Sequence, residues 1–195
     1  MPDQTFPSLA GQALIAMPTI GDSRFQRTVI YLCMHDANGA MGLVVNKPDP
    51  KRSIADIMRE LDLLPGEETE QPDTLSAPLL LGGPVEKSRG FLLHAPSGVT
   101  REGTVKVADG VELSTTLDTL REIGSGQGPE RFLLAVGFAS WTAGQLDTEI
   151  LNNVWLNAEM SADELFTTPA PLLYAASLSG LGVDLHQLSP TAGRG

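Results

Sequence analysis

A chain of 195 residues with 42% hydrophobic content and a mean hydropathy near zero has enough apolar mass for one buried core, which excludes a disordered or low-complexity class. With 13 basic against 24 acidic residues the formal net charge is −11, so a broad basic face for nucleic acid and attachment to anionic membranes are both disfavoured. The single cysteine excludes an internal disulfide, and with no stretch near the roughly 20 apolar residues of a spanning helix the expected location is the cytoplasm.

In chain order, Gln12–Met17 reads as a first strand stopped by Pro18; its apolar run is too short for a signal-peptide core. A polar connection, Ile20–Arg27, carries one large apolar residue, Phe25. Thr28–His35 and Ala40–Asn46 are apolar on both faces: Val29, Tyr31, Cys33 and His35 on one, Ile30, Leu32 and Met34 on the other. Strands covered on both sides read this way, which places the hairpin near the middle of a sheet, turning through Asp36–Gly39. Ser53 and Asp56 form a capping-box-like start to a helix with Ile54, Ile57, Met58, Leu61 and Leu64 inward, ended by Pro65-Gly66. Glu67–Asp73 is an acidic loop expected to be mobile.

Pro78–Val85 and Gly90–Ala95 read as short strands joined by PVEKSRG, and Gly103–Leu113 as a hairpin around Asp109-Gly110. A helix over Thr115–Ile123 precedes a buried strand, Arg131–Ser140. Helix Thr142–Asn152, strand VWLNA, a short helix opened by Ser161 and Glu164, and helix Leu172–Ser179 complete the pattern. The expected fold is α+β, a single compact domain over 1–195 with frayed ends at about 1–8 and 190–195. Its sheet is mixed, largely antiparallel and strongly bent, flanked by short helices.

Candidate chemistry is thin. Cys33 sits inside an apolar strand, so a buried structural thiol is expected. His35, at that strand's polar end, suits a base or binding group, or a turn histidine satisfied locally. Asp22 and Arg27 can clamp an anion or tie down their own loop, with Phe25 between them; Asn46 and Lys47 pose the same choice. Gln145, Asp147 and Glu149 project beside Trp141, as a carboxylate-bearing face or as a solvated helix flank. Gly82-Gly83-Pro84 and the Gly-rich 124–128 segment lack phosphate-loop and dinucleotide spacing. Arg89 and His94 flank a strand with no partner at diagnostic spacing. His35, His94 and His186 are too far apart to suggest a metal, no GxSxG elbow occurs, and no basic recognition helix is visible. No cofactor and no metal are expected.

The blocks at 14–48 (LIAMPTIGDSRFQRTVIYLCMHDANGAMGLVVNKP), 81–96 and 133–159, with the closing LGVD at 181–184, resemble the YqgE/AlgH family of bacterial proteins over nearly the whole chain. The resemblance implies a compact α/β cytosolic domain without an established activity, some of whose members are labelled transcriptional regulators. Two features depart from the family pattern. Tyr174 stands in the final helix where a Trp is usual. The chain ends Ala192-Gly193-Arg194-Gly195 in place of a Gly-His-Ala-like ending, so a role for a C-terminal histidine is not expected.

These readings order three functions. The first is a cytosolic regulatory or adaptor protein acting through contact with another protein, without membrane or direct nucleic-acid binding. The second is a small-molecule-binding protein or hydrolase with a pocket near Asp22, Arg27, His35, Asn46, Trp141 and Gln145. The third is transcriptional control that does not touch DNA directly. Oligomeric state and partner are not encoded in any motif.

Overall fold

In the computed structural model of the chain, residues 7–18, 20–64, 73–99 and 101–183 are described. The acidic loop beyond Glu67, the Pro65-Gly66 stop and the frayed ends fall wholly or almost wholly outside them. The strands are Gln12–Ala16 (β1), Val29–Asp36 (β2), Gly39–Val44 (β3), Pro48–Ser53 (β4) and Pro78–Leu81 (β5). Val85–His94 (β6), Thr104–Ala108 (β7), Val111–Ser114 (β8), Phe132–Thr142 (β9) and Trp155–Glu159 (β10) follow. Five helices accompany them: Ile54–Glu60 (α1), Leu117–Gly124 (α2), Gln145–Leu151 (α3), Ala162–Thr167 (α4) and Ala170–Gly180 (α5).

The strands join in one ten-stranded sheet of order β10-β1-β2-β3-β9-β6-β8-β7, with β5 added alongside β9 and β4 alongside β5. The β5–β9 pairing is parallel and the other described pairings are antiparallel, so the sheet is mixed and largely antiparallel, curled as a half-barrel. The β2–β3 hairpin lies centrally, as its two apolar faces predict. Val29, Tyr31 and Cys33 pack into one cluster with Leu165 of α4 and Leu173, Tyr174 and Leu178 of α5. Ile30 and Leu32 face the other way, onto Trp141, Leu146 and Trp155. A third cluster seats Ile54 and Met58 of α1 and Leu120 and Ile123 of α2 against β6 and β9.

Both capping boxes form: Ser53 Oγ accepts the Asp56 N–H and Ser161 Oγ the Glu164 N–H, while each carboxylate returns to the serine N–H. Helix α1 nevertheless stops four residues before the expected Leu64. Asp62 adopts a left-handed φ of 54°, its N–H donates to Arg59 O and that of Leu63 to Met58 O. This is a Schellman closure, which satisfies the last carbonyls without a glycine. The Val85–Gly90 part of PVEKSRG is not a connector but belongs to strand β6, whose register against β9 shifts between Val85 and Gly90. Strand β4 was not anticipated, because Pro48 and Pro50 remove ladder donors; it pairs with β5 only at Pro48–Leu80 and Ser53–Pro78.

Candidate functional site

A cleft opens where the Asp22–Arg27 segment faces the turn between β5 and β6. Asp22 accepts the Arg24 N–H at 3.0 Å and caps the 3-10 turn Ser23–Phe25, which presents Arg24 and Phe25 at one rim. The Arg24 guanidinium grips the same carboxylate through Nε (3.0 Å) and Nη2 (2.6 Å). That contact holds the Asp22 carboxyl below its ordinary range and raises the Arg24 guanidinium. The opposite rim is Gly83-Pro84 with Lys87. Its placement depends on close backbone approach: Gly82 N donates to Val136 O and Val44 N to Gly82 O, both at 2.8 Å. Gly137, at φ 74°, passes directly beneath, where a Cβ would lie 2.6 Å from the Gly83 carbonyl oxygen.

Two cavities share Arg24, Phe25 and Pro84. One, of about 370 Å³, has an apolar floor of Val44, Leu81 and Val136 and four cations: Arg24, Lys47, Arg52 and Lys87. The other, of about 430 Å³, runs beneath Trp141 and Trp155 and includes Asp22, Gln145 and Glu149. In the basic cavity Arg24 is answered by Asp22 and Arg52 by Asp49 at 3.1 Å. Among the described residues Lys47 and Lys87 have no carboxylate partner. Lys47 Nζ donates to Gln26 O at 2.8 Å, and burial, then the Arg27 charge, hold its pKa below the ordinary lysine value. In the aromatic cavity the rings step edge to face: Phe25 on Trp155 at 5.6 Å, and Trp155 on Trp141 at 5.9 Å.

Of the six residues the sequence singles out, Asp22, Trp141 and Gln145 line this cleft; Arg27, His35 and Asn46 line neither of its cavities. Asp22 pairs with Arg24, not with Arg27, which corrects the expected clamp. Arg27 lies at φ 52° with its guanidinium 5.6 Å from the Tyr174 ring centre. Asn46 holds the strand entry together, accepting Val29 N–H and donating to Arg27 O, each at 2.9 Å. His35 does not share the face of Cys33. A bulge between Leu32 and Met34 puts His35 opposite Ala40, itself opposite Trp141, on the tryptophan side. There its Nδ1 accepts the Leu9 N–H at 3.1 Å and Nε2 faces Asp147 at 3.5 Å.

Cys33 is buried, and desolvation pushes its thiol up to about 12, which removes the nucleophile. Tyr174 is buried and donates to Ala16 O at 2.8 Å. Arg52, Lys87 and Trp155 escaped sequence reasoning because they reach the cleft from three separate strands. Phe25 and Lys47 carried a weak signal through their place beside the hairpin.

A second polar cluster has the outline of a nucleophile and base. His94 Nε2 is 2.8 Å from Ser114 Oγ, with Nδ1 3.0 Å from Ala95 O and 3.8 Å from Glu112. The carbonyl can only accept, so Nδ1 carries the proton and Nε2 accepts from Ser114. Thr104 and Thr119 hydroxyls also reach Ser114 Oγ, at 2.5 and 3.4 Å. They fill its remaining lone pairs. With His94 fully buried and Ser114 1% exposed, the cluster is a buried hydrogen-bond network beside a third cavity, of about 390 Å³, that Ser114, Thr115 and Thr116 help to line.

Residues 13–186 match the sequence profile of a family described as AlgH-like. A UPF0301 protein of Bradyrhizobium diazoefficiens is 42% identical over 95% of this chain and 87% of the relative. One from Proteus mirabilis is 39% identical, covering 95% and 98%. The solution structure of the AlgH protein from Pseudomonas aeruginosa superposes over 100% of both chains with a TM-score of 0.74 at 36% identity. A Corynebacterium diphtheriae protein shares the fold at a TM-score of 0.66 and 19% identity, covering 89% and 87%. Among the described residues no helix is long and apolar enough to cross a membrane.

Proposed function

The chain belongs to the AlgH-like family of bacterial proteins, and we propose that it works by reversible binding of a small ligand in the cleft between Arg24–Phe25 and Pro84–Lys87. In this reading it is a cytoplasmic regulatory protein with no chemistry of its own. The supporting observation is the junction of the two cavities at Phe25 and Pro84, where a cationic wall, an apolar floor and a tryptophan-lined recess meet. This puts the second sequence reading ahead of the first.

A contact-only adaptor calls for a contiguous apolar face. Among the described residues Met34, Val105, Leu151 and Leu172, all large, apolar and exposed, stand on β2, β7, α3 and α5, while Leu61 and Leu117 line one cavity together. A hydrolase calls for an accessible nucleophile, which neither Cys33 nor Ser114 offers. Direct DNA contact calls for an extended basic face, whereas four of the cations gather in one cavity of a chain with net charge −11.

A thermal-shift screen against a metabolite collection tests the reading. A ligand that binds only the native state raises apparent stability by about 2.7 kcal/mol at 100 times its Kd. Both tryptophans of the chain line the recess, so the same ligand alters intrinsic fluorescence. Phe25→Ala should abolish both signals. Hits that are indifferent to Phe25→Ala overturn the cleft as the binding site.

A further inference from the structure

We propose that the basic half of the cleft holds a phosphate monoester in its doubly charged form, with the ester's apolar body lying along Leu81, Val136 and Pro84 towards Phe25. This deepens the ligand-binding reading and rests on it.

The first argument is charge. Among the described residues no carboxylate lines the basic cavity, yet four cations reach it from the 3-10 turn, the β3–β4 connection, β4 and β6. Asp22 and Asp49 answer two of them from outside the lining. Among the described residues that line the cavity the excess is two positive charges, Lys47 and Lys87, which match a dianion and not a monoanion. Glu86 neighbours Lys87 in sequence, but its carboxylate accepts from Arg89 at 3.2 Å.

The second argument is the availability of donors. An ammonium has three N–H groups, and Lys47 spends one on Gln26 O. Asp49 engages Arg52 through Nε, not through its terminal nitrogens. Donors converging from four segments suit the tetrahedral set of phosphate oxygens better than the planar pair of a carboxylate.

The third argument is standing cost. Lys47 is partly desolvated and repelled by Arg27, a cost to its charged form that an anion beside it relieves. Non-glycine residues in the left-handed region flank the cleft on both sides, Arg27 at φ 52° and Glu86 at φ 44°.

The same phosphate can come on a metabolite or on a phosphorylated side chain. Titrations followed by tryptophan fluorescence and thermal shift use phenyl phosphate, benzenesulfonate, benzyl alcohol and a tyrosine-phosphorylated peptide, at pH 7.5 and low salt. Phenyl phosphate should bind roughly tenfold tighter than the singly charged sulfonate. It should weaken as pH falls through about 6, where the phosphate takes up its second proton. Lys47→Gln and Lys87→Gln should each weaken it roughly tenfold. Lys106→Gln, whose ammonium pairs with Asp109 elsewhere, should not.

A phosphopeptide that binds tighter than phenyl phosphate places the ester on a protein; one that binds no tighter places it on a metabolite. Equal binding of the ester, the sulfonate and the alcohol overturns the dianion and leaves the cleft reading standing. So does a silent panel alongside a neutral or cationic metabolite whose effect depends on Phe25. Silence from both panel and collection overturns both.

Discussion

Trp141 and Trp155, whose ring centres lie 5.9 Å apart at 82°, donate their indole N–H groups to one oxygen, Oε2 of Glu149, at 2.8 and 2.7 Å. One strand-end tryptophan on β9 and one on β10 are thus tied to the middle of α3 by a single carboxylate. Gln145 Nε2 holds the other oxygen at 2.9 Å, and Gln145 Oε1 accepts from Thr142 at the start of the turn. The recess of the cleft is built on this network.

Glu149→Ala leaves two largely buried indole donors without an acceptor. Each unmade bond of that kind costs about 1–3 kcal/mol, so a loss of about 2–6 kcal/mol is expected in denaturant unfolding. The near-ultraviolet dichroism of the tryptophans should flatten as their geometry loosens. Glu149→Gln keeps one carbonyl oxygen as acceptor and should cost less than half as much. Wild-type stability in Glu149→Ala would mean that the tryptophans pack without the carboxylate.

Alkaline stability is a second test. Burial raises the Cys33 thiol from an ordinary 9.0 to about 12 and the Tyr31 phenol from 10.0 to about 12. Both groups are therefore neutral in the folded chain at a pH where the unfolded chain ionises. Below about pH 9 neither state is charged and the full stability is present. Between 9 and 12 the unfolded chain binds fewer protons, so unfolding becomes progressively easier, by up to about 1.4 kcal/mol per pH unit for each group. Cys33→Ala and Tyr31→Phe should each make the fall shallower. Tyr31→Phe should cost nothing at neutral pH, because that hydroxyl is buried with no partner among the described residues. A thiol reagent should label Cys33 only on unfolding, and rapid labelling of the native protein would contradict its burial.

The interior network around His94 makes a third. Ser114→Ala removes the donor to a buried imidazole nitrogen and the acceptor for two threonine hydroxyls, and should lower stability by about 1–3 kcal/mol. Ligand binding in the cleft should be unaffected, since Ser114 does not line it. Loss of binding at unchanged stability would give this cluster a functional role after all.

The central hairpin was legible because burial on both faces writes itself into Val29–Met34 and Gly42–Val44 as unbroken apolar sequence. The two capping boxes were legible because Ser53–Asp56 and Ser161–Glu164 are local. His35 was misplaced for a reason no periodicity carries: one extra residue at Cys33 shifts the phase of every side chain after it. The cleft itself was hidden more deeply. Arg24, Lys47, Arg52 and Lys87 are far apart in sequence, and the pairings of β3, β5 and β6 with β9 and of β4 with β5 bring them to one cavity.

The pairing of β5 with β9 makes Gly137 the position on which the cleft geometry turns. At φ 74° a side chain is strained, and a Cβ there would lie 2.6 Å from Gly83 O and 2.9 Å from Val85 O. These are backbone atoms with no rotamer to yield. Gly83 itself packs against the backbone of Phe138 in the same crossing, so the segment cannot slide away. Gly137→Ala should therefore cost about 3 kcal/mol or more, by overpacking together with left-handed strain, and should push the Gly83-Pro84 rim off β9. Ligand affinity should fall even where the protein stays folded, because Pro84 and Lys87 move with the rim. Gly180→Ala is the control: its Cβ would meet nothing within 4 Å at the end of α5, so binding should stay as it is and stability should hold or rise by up to about 1 kcal/mol. If Gly137→Ala matches that control, the β5–β9 crossing is not what holds the rim in place.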